Sequence, residues 1–417
     1  MAISGAREKP RMRNVLVPAG IACLFVAVAA AIGPGVVWGD TVQYLRIAYM
    51  LQGVSENKAW LDAYTLWCKH PSFDYKGTLE NCISTTMAGH GPFIGYIDRN
   101  VPYQEIFTPR IGYPMLSIPL MHAFGDRIGL WIVAVAATTI GGLVLVRILR
   151  IAGLGVVSST VAQFSFYALP VSLPHGVAML AEATTLTSAL VMALGLAYVI
   201  RGSNKRGLTW VTLGLGLVFF FKYSSTLLLC LSFLVVCLGL LLLRQYRRNR
   251  QIRFAAFLSG VALILSSTVN SLLGFPGLSH SLQDTFTDHF RLPPVDDPVV
   301  RLLQLEWHFL GRFVAGLPAN ATYLAVFLAG VAGFVLALRS RRFRPEIVVT
   351  VALSLYGVLS VVGHPVHSQA PRLGSSLWVG IAVGLGLLLF ELWQRRRPSP
   401  FALSESTDNS VPPSKDG

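Results

Sequence analysis

Apolar runs of roughly 20 residues recur along this chain, separated by short clusters of Arg and Lys. A backbone inside hydrocarbon must satisfy its own N–H and C=O groups, so runs of this length without strand alternation fold as helices. Composition agrees, since 13% of the 417 residues are charged and 53% are hydrophobic. A water-soluble chain carries about 25% charged residues. The expectation is an all-α fold, a polytopic transmembrane helical bundle of about ten spans. They fall near 15–37, 128–148, 152–170, 177–200, 207–222, 225–243, 254–274, 315–338, 345–364 and 374–394. The stretch Ile111–Phe124 is apolar but too short to cross, and is expected to lie along the surface as an interfacial helix.

The formal charge of +14 orients the protein rather than marking a nucleic-acid surface. Basic residues gather at Arg7–Arg13, Arg147 and Arg150, Arg201–Arg206, Arg244–Arg253, Arg339–Arg344 and Arg395–Arg397. That is the pattern of short cytoplasmic loops. It predicts a cytoplasmic N-terminus at 1–14, a transmembrane domain at 15–394 with outer loops 38–127, 275–314 and 364–373, and a cytoplasmic tail at 395–417. Both termini are then cytoplasmic in a multi-pass protein of the cell membrane. The N-terminus has the basic start and apolar core of a signal peptide, but its apolar run is longer, so it is read as a retained first span. The Ser- and Pro-rich tail is expected to be disordered.

Ionisable residues at the outer ends of the spans are candidates for function, because a charge there is costly unless it is used. Asp40 follows the first span and opens a segment in which Tyr44, Ile47, Ala48 and Leu51 repeat at helical spacing, while Gln43 and Arg46 fall elsewhere on the wheel. The pattern predicts an amphipathic helix at the interface. Asp40 is then either a reactive carboxylate favoured by the helix dipole or a helix cap. Lys222 interrupts an apolar, aromatic run at the end of a span. It calls for an anion such as a lipid phosphate, or it snorkels to water. Glu182 is expected one to two turns inside the fourth span, protonated, paired with Lys222 or another base, or bonded to sugar hydroxyls. Arg110 and Arg372 suit a pyrophosphate or phosphodiester, or equally a lipid headgroup. Arg46, Arg291, Arg301 and Arg312 are further outer cations.

His364 and His367, with His280, His289 and His308 on the neighbouring loop, raise a metal site. No tight zinc spacing supports it, and Pro365 works against one helix presenting both rings. Asp296 and Asp297 form a second candidate cation site or an exposed turn before Pro298. Cys68 and Cys82 share a polar loop on the expected outer face, where a disulfide is favoured. Cys23, Cys230 and Cys237 sit in apolar runs as small hydrophobes.

Four pieces of sequence resemble the GT-C superfamily of membrane glycosyltransferases, which use polyprenyl-phosphate-linked sugars. They are Asp40 leading into Tyr44 and Ala48; Arg110, Tyr113 and Pro114 before a short apolar helix ending at Gly125; Phe-Lys-Tyr-Ser around Lys222; and a late loop with His364 and Arg372. The likeness covers roughly residues 14–394 in short, degenerate motifs. It implies a GT-C-like bundle with two interfacial helices in the first outer loop. It also implies transfer of a hexose or pentose from a polyprenyl-phosphate sugar to an envelope glycan, lipid or protein, with inversion. Asp40 would be the catalytic base, and Lys222, Arg110, Arg372, Glu182, His364, His367 and Tyr44 the substrate-binding residues. Many members carry a second acid beside the first, whereas Gly39 and Thr41 flank Asp40 here. A divalent cation therefore lacks its paired-acid motif, and no other cofactor is implied. The alternative is a transporter or flippase of lipid-linked sugars, which would place charges near the midplane and show an internal duplication. A polysaccharide ligase or acyltransferase is a third class, without a distinguishing nucleophile.

Overall fold

Helix is the form that the apolar runs impose, and the computed structural model contains helices and no strands among its described residues. It describes residues 8–71, 77–88, 101–316, 320–340 and 344–395. The expected N-terminal segment before Glu8 and the expected disordered tail beyond Arg395 lie outside them. The first part of the chain comprises α1 (Glu8–Ile32), α2 (Gly39–Leu51), α3 (Glu56–Lys69), α4 (Leu79–Met87), α5 (Val101–Phe107) and α6 (Gly112–Phe124). There follow α7 (Asp126–Ile151), α8 (Val156–Ala168), α9 (Glu182–Ile200), α10 (Asn204–Leu242) and α11 (Arg250–Leu272). The last part comprises α12 (Leu278–Phe286), α13 (Pro298–Gly316), α14 (Ala321–Arg339), α15 (Val348–Val362), α16 (Ala370–Leu373) and α17 (Leu377–Arg395). Eight helical segments among the described residues are long and apolar enough to cross a membrane. The protein is thus a multi-pass helical membrane bundle.

Three expected spans differ in form. The runs at 207–222 and 225–243 belong to one 39-residue element, α10, in which helical geometry fails only at Lys222 (φ −156°, ψ 77°). Tyr223 and Ser224 contain no helix breaker, so the helix resumes at once. A straight helix of that length would measure about 58 Å, nearly twice a hydrocarbon core. The two halves instead take different partners: Gly207 and Gly214 pack on Gly195 and Met192 of α9, whereas Leu234 reaches Gly260 of α11. Phe219 and Tyr223, on either side of the break, both meet Phe275 just beyond α11. The run at 152–170 gives only the 13-residue α8, because Pro170 and Pro174 block its extension.

Between α1 and α7 the described residues of the expected first outer loop fold into a cap with its own core. Tyr44, Trp60, Tyr64, Trp67 and Tyr113 are buried together there, and Cys68 and Cys82 are disulfide-bonded, joining α3 to α4. The expected helices at Asp40 and at Ile111–Phe124 are present as α2 and α6. The amphipathic surface setting expected for α2 is not: every residue from Thr41 to Tyr49 is buried, Gln43 and Arg46 included. Arg46 is accommodated by Gln104 (2.7 Å), Glu56 (3.4 Å) and the face of Trp60. Partners supplied from distant segments thus allow polar residues to be enclosed.

Small residues bring the spans to backbone contact, as membrane helix pairs require. A Cβ on Gly195 would lie 2.7 Å from the carbonyl oxygen of Gly207 on α10. Gly195→Val is expected to lower stability by about 1–3 kcal/mol through overpacking. Melting of the purified protein in detergent checks this, with Gly216→Val, which meets nothing within 4 Å, as a neutral control.

Candidate active site

One cavity of about 570 Å³ opens where the cap meets the helix ends, and it collects ionisable groups from distant parts of the chain. Asp40 comes from the first turn of α2, Arg110 from the residues before α6, and Glu182 from the first position of α9. Lys222 stands at the break in α10, His364 follows α15, and Arg372 lies in α16. Each position is a helix end or interruption, where the backbone is not sealed by its own hydrogen bonds. The first turns of α2 and α9 also favour a carboxylate through the helix dipole.

The charges interlock. Arg372 Nη1 donates to Asp40 Oδ2 at 2.8 Å, and its Nε lies 3.8 Å from Glu182 Oε1. Lys222 Nζ reaches the same Glu182 oxygen at 3.3 Å. Gln369 Oε1 accepts from Arg372 Nη2 at 2.9 Å, which fixes the guanidinium plane. These four charged side chains are only 13–18% exposed, so the pairing is not a solvent-screened surface contact.

Arg110 differs from them. It is 7% exposed, and no carboxylate lies within ion-pair distance of it among the described residues. Its guanidinium rests on the Phe107 ring at 4.6 Å, and Nη2 reaches Ser224 Oγ only at 3.5 Å. Nε is buried without a hydrogen-bond partner. Burial works against its charge, but Tyr44, Tyr223 and Asp40 outweigh that and hold Arg110 firmly protonated. Gly112 makes the placement achievable. A Cβ there would meet the Phe220 carbonyl oxygen at 2.8 Å, so α6 starts directly against the end of the first half of α10.

Other atoms on the wall are equally unsatisfied. Glu182 Oε2, Asn270 Oδ1 and Ser376 Oγ are buried with no hydrogen-bond partner, and all three residues line the cavity. Similar atoms occur elsewhere among the described residues, but these face a hollow that a polar ligand could enter.

Several sequence expectations change at this point. Asp40 does not cap its helix: Trp38 occupies that position, and the carboxylate turns to Arg372. Of the alternatives for Glu182, the pairing with Lys222 is present, but Glu182 begins a span rather than lying inside one. Tyr44 is fully enclosed behind the cavity against Phe107 and Tyr113, with burial raising its phenol pKa so that it stays neutral. His364 lines the cavity while His367 stacks on Phe309 at 4.7 Å outside its lining, so the two rings diverge. No group of three metal-ligating side chains occurs among the described residues. Arg291 pairs with Asp288, and Arg301 lies over the Phe286 ring. Asp284, Asn270 and Ser376, which no spacing or motif distinguished, join the wall. No protein-family model matches this chain, and no curated protein matches it.

His364 provides a pH handle. Burial lowers its pKa to about 4, with Asp284 pulling the other way, and Nδ1 lies 2.6 Å from Thr285 Oγ1. The unfolded chain binds a proton near 6.5 and the folded one only near 4, so this contribution is complete above 6.5 and is lost as pH falls toward 4. Denaturation of wild type and His364→Gln between pH 7 and 4 is expected to show wild type losing up to about 3 kcal/mol more than the variant.

Proposed function

We propose that this protein is a glycosyltransferase that moves a sugar from a polyprenyl-phosphate donor to a hydroxyl of an extracytoplasmic envelope acceptor, with a GT-C-like fold. The observation that carries this reading is the buried Arg110, left without a carboxylate, beside the Asp40–Arg372–Glu182–Lys222 network in one cavity of a membrane bundle. Arg110 is held by Tyr44, Ser224 and the Phe107 ring but by no described carboxylate at ion-pair distance, and a buried cation so placed suits a phosphate, whose oxygens match a guanidinium fork. Hydroxyl groups of a sugar would satisfy Glu182 Oε2, Asn270 Oδ1 and Ser376 Oγ. The apolar helix faces around the cavity supply a path for a prenyl chain.

In the proposed reaction, the acceptor oxygen attacks the anomeric carbon as the bond from that carbon to the phosphate oxygen breaks. The hydroxyl proton passes to Asp40, and the bonding electrons leave with the phosphate, whose charge Arg110 and Lys222 meet. Attack opposite the leaving group inverts the anomeric centre. General-base assistance of this kind is worth about 10²–10⁴-fold, and charge stabilisation aimed at the leaving group adds to it. Counting the two halves of α10 separately and α8 as a short crossing gives ten crossings. With the basic clusters inside, both termini are then cytoplasmic and the cavity faces outward in the cell membrane. The ionisable groups gather at one end of the helices rather than at their middle, which favours chemistry over translocation.

Membranes carrying the protein, supplied with a panel of polyprenyl-phosphate sugars and an envelope extract, provide the assay. Asp40→Asn is expected to abolish transfer at unchanged protein level; full activity would remove Asp40 as the base. Arg110→Ala and Lys222→Ala are expected to raise the donor KM about tenfold or more, equivalent to about 1.4 kcal/mol, with little change for the acceptor. An unchanged donor titration counts against the phosphate role.

A further inference from the structure

A second pair of ionisable groups lines the same cavity from a different segment. Asp284, on the last turn of α12 and 8% exposed, lies 2.9 Å through Oδ1 from His289 Nδ1. The ring is delivered by an unusual backbone: Asp288, His289 and Phe290 all have left-handed φ values of 50°, 59° and 61°. Three successive residues without a glycine in that region are strained by about 1–2 kcal/mol each. Phe290 packs on His280 at 4.7 Å, and Thr285 on the same helix holds His364. His280 Nε2 lies 2.8 Å from the Pro102 carbonyl oxygen and Tyr103 packs edge-on to His289 at 5.2 Å, so the segment is clamped to the cap on one side and to the loop after α15 on the other. With Nδ1 engaged by Asp284, Nε2 makes no hydrogen bond to any described residue.

We propose that this segment is the acceptor wall of the cavity, and that His289 Nε2, aimed by Asp284, hydrogen-bonds a hydroxyl of a glycan acceptor. This rests on the transferase reading and adds to it a division of labour. Arg110 and Lys222, from α6 and α10, face the donor phosphate. The α12 segment, which belongs to an outer loop and to no membrane-crossing helix, meets the water-soluble substrate. A carboxylate–imidazole pair suits a hydroxyl in either charge state, because Asp284 holds Nδ1–H and the aim while Nε2 accepts the hydroxyl hydrogen when neutral or donates to its oxygen when protonated. The groups that set the ring's charge are Asp284 on α12, Asp288 in the turn, Asp40 across the cavity and His364 on the facing loop. Burial is the largest single influence and lowers its pKa, but the bond to Asp284 and the charges of Asp284, Asp288 and Asp40 together outweigh it and raise the pKa.

Carbethoxylation of His289 by diethyl pyrocarbonate, which attacks neutral imidazole, read by peptide mass spectrometry on the full-length protein in nanodiscs, tests this without any turnover. Short alkyl glycosides serve as the acceptor probe and polyprenyl phosphate as the donor probe. Glycosides are expected to slow modification of His289 at least fivefold, and polyprenyl phosphate alone to leave it within twofold. Protection by polyprenyl phosphate, or by neither, overturns the assignment. The pH midpoint of reactivity is expected above that of an ordinary histidine and to fall in Asp284→Asn; an unmoved midpoint overturns the pairing. In the transfer assay His289→Ala is expected to raise acceptor KM about tenfold with donor KM unchanged, and equal effects on both overturn it. Glycoside protection with no transfer from any donor would instead sink the transferase reading while leaving a glycan site in place.

Discussion

Arg372 is the residue on which the cavity depends. Its guanidinium joins Asp40, 332 positions earlier, to Glu182, and through Glu182 to Lys222. Two carboxylates sharing so enclosed a space would repel each other strongly, and each would be costly to ionise alone. The forked cation makes their coexistence affordable because separate nitrogens serve separate acids. It also ties the last part of the chain to the cap between α1 and α7, so the cap and the bundle close over one hollow.

The rest of the architecture supplies the ends that this network needs. The ionisable groups of the network stand at a first turn, a break or the turn beside a helix. Gly202 (φ 95°) returns α9 into α10 so that the two run antiparallel. This brings Glu182 at the start of one level with Lys222 at the break in the other. Had α10 continued unbroken through Lys222, the ammonium would point from a sealed helix wall and the second half would leave α11 unpaired.

Much of this was legible in the sequence, because apolar length and basic clusters are local signals. Runs of twenty apolar residues announce spans wherever they occur; Asp40, Lys222, Arg110 and Arg372 are conspicuous as charges at apolar borders, and Glu182 as a charge inside an apolar run. What the sequence does not carry is which charge meets which. The pairing of Glu182 with Lys222 stands as one alternative among several, and only the fold, which brings residues forty positions apart together, selects it. The helical wheel of α2 misled for the same reason: Gln43 and Arg46 look solvent-facing until α3 and α5 cover them. Tyr44 and His367 illustrate a further gap, since a residue in the right segment can still point behind the cavity or onto a neighbouring ring.

On the proposed chemistry the same ion pairs set an order of events. In the absence of substrate Asp40 Oδ2 is occupied by Arg372, so that oxygen is already engaged when an acceptor hydroxyl approaches. An incoming phosphate offers the cavity's cations a more highly charged partner than a single carboxylate. Arg110 requires no release to bind it, whereas Arg372 and Lys222 must share themselves between the acids and the phosphate. Each bond they give to the phosphate loosens their hold on Asp40 and Glu182. Donor binding thereby frees the base that the acceptor needs and opens Glu182 toward the sugar. A cavity whose charges balanced without Arg110 would have no such bias, and its acids would stay locked in their pairs.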